Sequence, residues 1–229
     1  MTDRAILSSD DTDIVGRDDF KVLAASSVGT IFEWFDFFLY GSLAVILARH
    51  FFAGVNESTA FVLALLAFAA GFAVRPFGAI VFGFVGDLWG RKRTFLITLS
   101  VMGAATFAVG LLPTYSQIGP AAAWVLVLLR MMQGLSVGGV YGGAAVYVAE
   151  HVPADKRGFY TSWIQTTATI GMALSLVVIF TTRKVLGEPE FIAWGWRIPF
   201  LMSSVLLGVT IWIQMKLSES PVYLRMKAA

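Results

Sequence analysis

The sequence predicts an all-α membrane protein with six transmembrane helices. Hydrophobic residues make up 57% of the 229 residues and charged residues only 14%, a balance far from that of soluble domains. Phe (19) and Trp (7) are abundant, as expected where aromatic rings lie at both membrane interfaces. Apolar stretches of about 20 residues, each long enough to cross the hydrocarbon core, recur along the chain. Together these observations argue against a soluble protein with a large core.

An acidic segment precedes the first apolar stretch. Residues 1–19 contain six aspartates and no apolar run, so we expect a solvated tail and no cleavable signal peptide. Asp18 or Asp19 is suited to capping the first helix, because carboxylates favour helix N-termini. The transmembrane bundle is predicted over residues 20–217. Its six spans are Phe20–Ala48, Ser58–Asp87, Thr94–Leu112, Ala121–Glu150, Gly158–Thr182 and Ile198–Lys216, with Gly, Pro and Asn marking most breaks.

The basic residues predict the orientation. With a cytoplasmic N-terminus, the inner loops carry eleven Lys and Arg residues: Arg4, Arg17, Lys21, Arg91, Lys92, Arg93, Lys156, Arg157, Lys216, Arg225 and Lys227. The outer loops then carry four: Arg49, Arg183, Lys184 and Arg197. Because basic residues mark the cytoplasmic side, both termini are predicted to lie inside.

Four ionisable residues fall well inside the predicted spans: Glu33, Asp36, Arg75 and Arg130. A charged group is costly in hydrocarbon, so such residues indicate a functional site that faces a water-filled or paired interior. The alternative is a static ion pair that only holds helices together.

Polar side chains recur on one face of three predicted helices. The stripes are Ser26, Thr30, Glu33, Asp36 or Phe37 and Tyr40 on the first helix, Arg130, Gln133, Val137 and Tyr141 on the fourth, and Ser162, Gln165, Thr166 and Thr169 on the fifth. Hydroxyl groups alone are weak evidence, because Ser and Thr often bond their own helix carbonyls. With charged residues on two of these helices, an aqueous or substrate-lined cavity is the better interpretation.

The rise of about 1.5 Å per residue places Asp36 and Arg75 near the same depth. We therefore expect Arg75 to pair with Asp36 and hold it ionised, which leaves Glu33 freer to accept a proton. Pro76 should weaken or bend the second helix, and Gly71 and Gly78 should allow another helix to approach closely.

The fourth predicted span is rich in glycine at small-xxx-small spacing, in the series Gly134, Gly138, Gly139, Gly142 and Gly143. Small residues let a neighbouring backbone pack tightly against a helix in a membrane. A hinge or sliding surface and plain helix packing both fit this pattern.

The loop after the second span reads Gly83-Phe-Val-Gly-Asp87-Leu-Trp-Gly90-Arg91-Lys92-Arg93. It resembles the major facilitator superfamily signature Gly-x-x-x-Asp-(Arg/Lys)-x-Gly-Arg-(Arg/Lys). Asp87 ends one helix and the basic cluster begins the next, so their opposite charges predict a cytoplasmic latch between the inner helix ends. A basic cluster that only anchors the topology is the alternative.

Further motifs support the resemblance. Arg130-Met-Met-Gln133-Gly134 is similar to the superfamily's Arg-x-x-Gln-Gly element, and the stretch from Glu150 to Gly158, which contains Arg157, resembles a second inner gate. The chain thus resembles two three-helix repeats, half of a twelve-helix fold. More selective are Glu33-Trp-Phe-Asp36-Phe-Phe-Leu-Tyr40-Gly41, Arg75-Pro76-Phe-Gly78, Gln133-Gly-Leu-Ser-Val-Gly-Gly139, Trp194-Gly-Trp-Arg197-Ile-Pro-Phe200 and Glu219-Ser-Pro221. Over Arg17 to Met226 these resemble the metabolite:proton symporter branch.

This resemblance implies proton-coupled uptake of a small organic acid or zwitterion across a plasma membrane, most simply a bacterial inner membrane. It implies that residues 218–229 begin the central cytoplasmic loop and that the bundle works with a C-terminal six-helix half. In the implied cavity Arg75 and Arg130 attract a substrate carboxylate, and Asp36 or Glu33 carries the proton. Gln133, Tyr141, Gln165 and Thr169 orient the ligand.

Three departures from the pattern leave alternatives open. Leu88 stands where the signature has a basic residue, and Val140 stands where this branch commonly has Glu. The chain also ends after six predicted helices of twelve. The alternatives are a truncated membrane partner that does not itself transport and a facilitator without proton coupling. No metal cluster, nucleotide loop or nucleophile constellation is recognisable, so we expect no enzyme activity, no cofactor and no nucleic-acid partner, only lipid, solute and protons.

Overall fold

The computed structural model describes residues 9–151 and 157–215; among these, side chains are described except at 9–26, 91, 139–151, 157, 160–161, 163–164 and 214. This part of the chain is all-helical. The helices are α1 (Ser9–Phe51), α2 (Glu57–Ala73), α3 (Arg75–Trp89), α4 (Arg91–Leu111), α5 (Tyr115–Ile118), α6 (Ala121–His151), α7 (Arg157–Leu186), α8 (Glu188–Glu190), a π-helical turn (Phe191–Gly195) and α9 (Arg197–Met215).

Five helical segments of the described chain are long and apolar enough to cross a membrane, or six if one bent pair counts as a single span. The bent pair joins Glu188–Gly195 to Arg197–Ile213 at an angle of 63°. The predicted all-α architecture is thus confirmed. Helix α1 begins at Ser9, before the predicted start of the first span, and its apolar part covers Ser27–Phe51.

Helix α1 lies at the centre of the bundle, where it packs against α2, α6, α7 and α9. Phe35, Leu39, Leu43 and Leu47 recur at every fourth position and are almost completely buried. Side chains four residues apart lie on one face of a helix, so this row forms one continuous packing surface. The same helix therefore holds its intervening polar residues at fixed positions inside the bundle.

The second span consists of two helices, α2 and α3, which meet at Val74. Pro76 occupies the first turn of α3, where its missing N–H is tolerated. Inside a continuous helix its ring would clash with the carbonyl of Phe72, four residues earlier. The weakening predicted at Pro76 is confirmed, and the break places Arg75 at the first position of α3.

Helix α6 approaches α2 and α3 backbone to backbone. A Cβ atom on Gly134 would collide with the carbonyl oxygen of Gly71, and one on Gly138 with the carbonyl oxygen of Arg75. Gly78 faces the carbonyl oxygen of Leu135 in the same way. The close approach expected at these glycines is confirmed, and it brings Arg130 and Gln133 on α6 near the helix break.

Candidate functional site

Asp36 on α1 and Arg130 on α6 form an ion pair inside the bundle. The guanidinium Nη1 lies 3.3 Å from Oδ2 of Asp36, and Nη2 lies 3.4 Å from Oδ1. The side chains of Arg130 and Asp36 are 4% and 6% exposed. Removing one partner of such a pair leaves an uncompensated buried charge, so each side chain depends on the other.

Two further side chains bind the same carboxylate. Gln133 donates from Nε2 to Oδ1 of Asp36 at 2.9 Å, and the hydroxyl oxygen of Thr106 on α4 also lies 2.9 Å from Oδ1. Gln133 Nε2 lies 2.7 Å from the Thr106 hydroxyl, which also lies 2.9 Å from the Met102 carbonyl oxygen. A hydroxyl has a single proton, so Thr106 donates to Asp36 or to Met102 at any one time. We call Asp36, Thr106, Arg130 and Gln133 the central cluster.

The Tyr40 ring packs against the Arg130 guanidinium of the central cluster. The Arg130 guanidinium lies 4.2 Å from the centre of the Tyr40 ring, within the range of a cation–π contact. The Tyr40 hydroxyl donates to the carbonyl of Ala64 on α2 at 3.0 Å. Tyr40, predicted to line a cavity, is fully buried and links α1 to both α2 and α6.

Arg75 does not pair with Asp36, contrary to the expectation from depth alone. Arg130 takes that position instead. The rise per residue gives the height of a side chain along a helix but not its direction around the axis, and α3 starts anew at Arg75. The Arg75 guanidinium lies 4.0 Å from the centre of the Phe72 ring, and its Nε has no hydrogen-bond partner among the described residues.

Glu33 lies one turn before Asp36 on α1 and is 4% exposed. Its Oε2 atom has no hydrogen-bond partner in the described part of the chain. Buried polar atoms without a partner are uncommon in folded proteins, which makes Glu33 a candidate functional residue. The structure thus places two carboxylates in different surroundings, one with several donors and one with an unpartnered oxygen.

Two cavities meet at Glu33 and Arg75. A small one of about 20 Å³ lies between these residues and the central cluster, with room for about one water molecule. A larger one, of about 580 Å³, is open to the surface and is lined by Glu33, Trp34, Phe72, Arg75, Val137 and Gln165, among others. We call it the open cavity. Gln165 lines the open cavity together with Glu33 and Arg75, whereas Thr169 is exposed and lines neither cavity. The side chain of Tyr141 lies outside the described set.

The predicted gate lies at the junction of α3 and α4. Gly90 has φ 102° and ψ 145°, a conformation that favours glycine. Asp87 and Arg93 are exposed, and Lys92 Nζ donates to the carbonyl of Met215 at 3.0 Å. Gly83 lies on α3, and a Cβ atom added to it would meet open space. The side chains of Arg91, Glu150 and Arg157 lie outside the described set.

Sequence reasoning missed Thr106. A single Thr in an apolar span usually bonds its own helix backbone, as Thr106 also does through Met102, so its spacing gives no signal. Only the packing of α4 against α6 brings its hydroxyl to Asp36.

Comparison with known proteins identifies the family. Residues 21–229 match the model of the family described as sugar (and other) transporter. The chain belongs to that family. It is 40% identical over 203 residues to a proline/betaine transporter of Salmonella typhimurium, a match that covers 89% of this chain and 41% of the relative. It is also 40% identical over 201 residues to a shikimate transporter of Escherichia coli, which covers 87% of this chain and 46% of the relative.

Solved structures of the major facilitator superfamily share the fold of this chain. The proton:xylose symporter XylE, bound to 6-bromo-6-deoxy-D-glucose, superposes with a TM-score of 0.82 at 19% identity, over 93% of this chain and 47% of XylE. The chain spans about two fifths to one half of the length of the relatives it matches. The expected resemblance to the N-terminal half of a major facilitator is confirmed, and these relatives are transporters and not enzymes.

Proposed function

We propose that this chain supplies the N-terminal half of a secondary active transporter that moves a small organic acid or zwitterion together with protons by alternating access. The observation that carries the proposal is the contrast between two carboxylates one turn apart. Asp36 is bound by Arg130 and Gln133, whereas Glu33 Oε2 has no partner and lies at the open cavity. A group that takes up and releases a proton needs an oxygen atom that no donor already occupies, and Glu33 Oε2 meets this requirement.

The relatives support the class of solute. A proline/betaine transporter and a shikimate transporter, each 40% identical to this chain, are named for zwitterions and for an organic acid. All of these solutes carry a carboxylate. Arg75, half-buried at the open cavity and with Nε unpartnered, is the cation available to such a group.

In this proposal Asp36 has a structural and gating role and Glu33 carries the proton. The exposed Asp87 and the basic cluster from Arg91 to Arg93 form the cytoplasmic latch, with both termini inside. The rocking motion needs a facing C-terminal half.

The test is transport in proteoliposomes, with this chain paired with the C-terminal half of the related proline/betaine transporter. Glu33→Gln should abolish accumulation driven by a pH difference while exchange of labelled for unlabelled solute continues. Asp36→Asn should impair both, because it weakens the buried pair with Arg130. Glu57→Gln is the matched control, since Glu57 is exposed and pairs with Arg49 at 3.5 Å, outside both cavities that meet at Glu33. Continued accumulation by Glu33→Gln would assign the proton to another group. If the unmodified chain exchanged labelled for unlabelled solute but showed no accumulation driven by a pH difference, the protein would be a facilitator.

A further inference from the structure

An apolar crevice separates α2 from α6 near the first residues of these two helices. It has a volume of about 490 Å³ and shares no lining residue with the two cavities that meet at Glu33. Six side chains form its walls: Leu63, Leu66 and Ala67 from α2, and Ala123, Trp124 and Val127 from α6. We call it the α2–α6 crevice. Neither the sequence patterns nor the proposed function accounts for it.

The crevice is a wedge that closes where the two helices meet. Gly134 on α6 lies so close to the carbonyl oxygen of Gly71 that a Cβ atom would collide with it. Ala67 lies one helical turn before Gly71, and Val127 lies two turns before Gly134. At a rise of about 1.5 Å per residue, Ala67 is about 15 Å from Glu57, the first residue of α2. The wedge is therefore about as deep as one leaflet, half of a hydrocarbon core about 30 Å thick.

Both walls of the crevice belong to segments that are long and apolar enough to cross a membrane, Glu57–Trp89 and Ala121–Gly138. Two of the wall residues, Trp124 and Leu66, are 71% and 57% exposed, so the wedge opens toward the surface of the bundle. A void between two helices loses dispersion contacts on both of its walls. An apolar occupant that reaches the crevice from the membrane would thus stabilise the separation of α2 and α6.

The shape of the wedge favours a hydrocarbon chain over a helix. A transmembrane helix is about 10 Å wide and crosses both leaflets, whereas this crevice ends after one leaflet at the contact of Gly71 with Gly134. A flexible chain can follow such a taper. Tyr115 and Trp124 also line the crevice, and each carries a hydrogen-bond donor on an aromatic body. Residues of this type are enriched at the level of the lipid headgroups.

We propose that the α2–α6 crevice binds one acyl chain of a membrane phospholipid, with the ester groups of the lipid beside Tyr115 and Trp124. In the proposed orientation this lipid belongs to the outer leaflet. The bound chain fills the wedge and holds the first halves of α2 and α6 at their separation in the structure. The site does not depend on which solute is carried.

The test is photo-crosslinking of the unmodified chain in phosphatidylcholine nanodiscs. A small share of the phosphatidylcholine carries a diazirine at the end of one acyl chain, and mass spectrometry of peptides locates the adducts. We expect residues 63–67 and 123–127 to carry at least about tenfold more adduct than Val205 and Val209 on α9. Both of these α9 residues are exposed in the middle of an apolar helix, so they report ordinary contact with the bilayer.

Variants test whether the adducts come from the crevice itself. Ala123→Phe places a ring in the wedge and should lower the adduct on residues 63–67 by at least about tenfold. Val205→Phe is the matched control, because it adds a ring to an exposed position on α9 and should leave that adduct unchanged. Leu66→Trp fills the wedge from the α2 side and should lower the adduct on residues 123–127, which gives a second measurement if Ala123→Phe does not fold.

Native mass spectrometry of the chain extracted from membranes identifies the occupant. We expect one retained phospholipid per chain, lost in Ala123→Phe and kept in Val205→Phe. A fatty acid without a headgroup, or a second copy of the chain, that is displaced by Ala123→Phe would overturn the proposal. Equal adduct on the crevice and on α9, or adduct that Ala123→Phe and Leu66→Trp both leave unchanged, would also overturn it. These measurements do not involve Glu33 or Arg75, so the proposed transport function is tested separately.

Discussion

The central cluster and the open cavity each contain one carboxylate of α1, Asp36 and Glu33, yet the two regions differ in how their charges are satisfied. In the central cluster Asp36 receives bonds from Arg130 and Gln133, and the Thr106 hydroxyl lies 2.9 Å from its Oδ1 atom. At the open cavity Glu33 Oε2 and Arg75 Nε lack partners among the described residues. Buried charges in one bundle thus have two kinds of surroundings. The satisfied network joins α1, α4 and α6, whereas Glu33 and Arg75 keep atoms that the proposed function assigns to a proton and a solute.

The largest effect is expected from Arg130→Gln. It leaves the Asp36 carboxylate buried without its counter-ion, which should lower the free energy of unfolding by about 3–5 kcal/mol. Thermal unfolding of the purified chain in detergent measures this loss. Combining the change with Asp36→Asn should restore part of the stability, and Arg75→Gln, made at the open cavity, should cost far less. Equal losses for Arg130→Gln and Arg75→Gln would remove the distinction between the two regions.

A smaller effect is expected at the glycine contacts that position the central cluster. Gly134→Ala introduces a Cβ against the carbonyl of Gly71, so α6 must move away from α2 at a cost of about 1–3 kcal/mol. Gly208→Ala is the matched control, because a Cβ there meets open space within a helix. The same unfolding assay compares them. A Gly134→Ala chain as stable as the control would show that the close approach does not hold α6 in place.

Thr106 should contribute less again. Thr106→Val removes a hydroxyl that contacts Asp36 and Gln133 but keeps the side-chain shape, which should cost about 1–2 kcal/mol. Thr106→Ser keeps the hydroxyl and should recover most of the loss. If Ser and Val variants were equally destabilised, the methyl packing and not the hydrogen bond would explain the role of Thr106.

The sequence predicted the architecture well because apolar length and helix-breaking residues act locally. Pro76 and the glycines at 71, 78, 134 and 138 have effects that can be deduced from their own chemistry, and these were confirmed. The partner of Asp36 was predicted wrongly, because depth along a helix does not determine which side chains face each other. Thr106 gave no signal, since its role depends on how α4 packs against α6. The four intramembrane charges were recognisable from their cost in lipid alone, but which of them form a pair depends on how the helices pack against each other.

In the proposed function Glu33, and not Asp36, takes up the proton when a carboxylate binds at Arg75. Infrared difference spectroscopy of the chain with and without meta-toluate, a small carboxylate, observes this directly, because a protonated carboxyl group has its own C=O absorption. We expect a protonated-carboxyl band to appear on binding in the unmodified chain and in Glu57→Gln, to persist in Asp36→Asn and to be missing in Glu33→Gln. A band that disappears in Asp36→Asn and remains in Glu33→Gln would place the proton in the central cluster and contradict its assignment to Glu33.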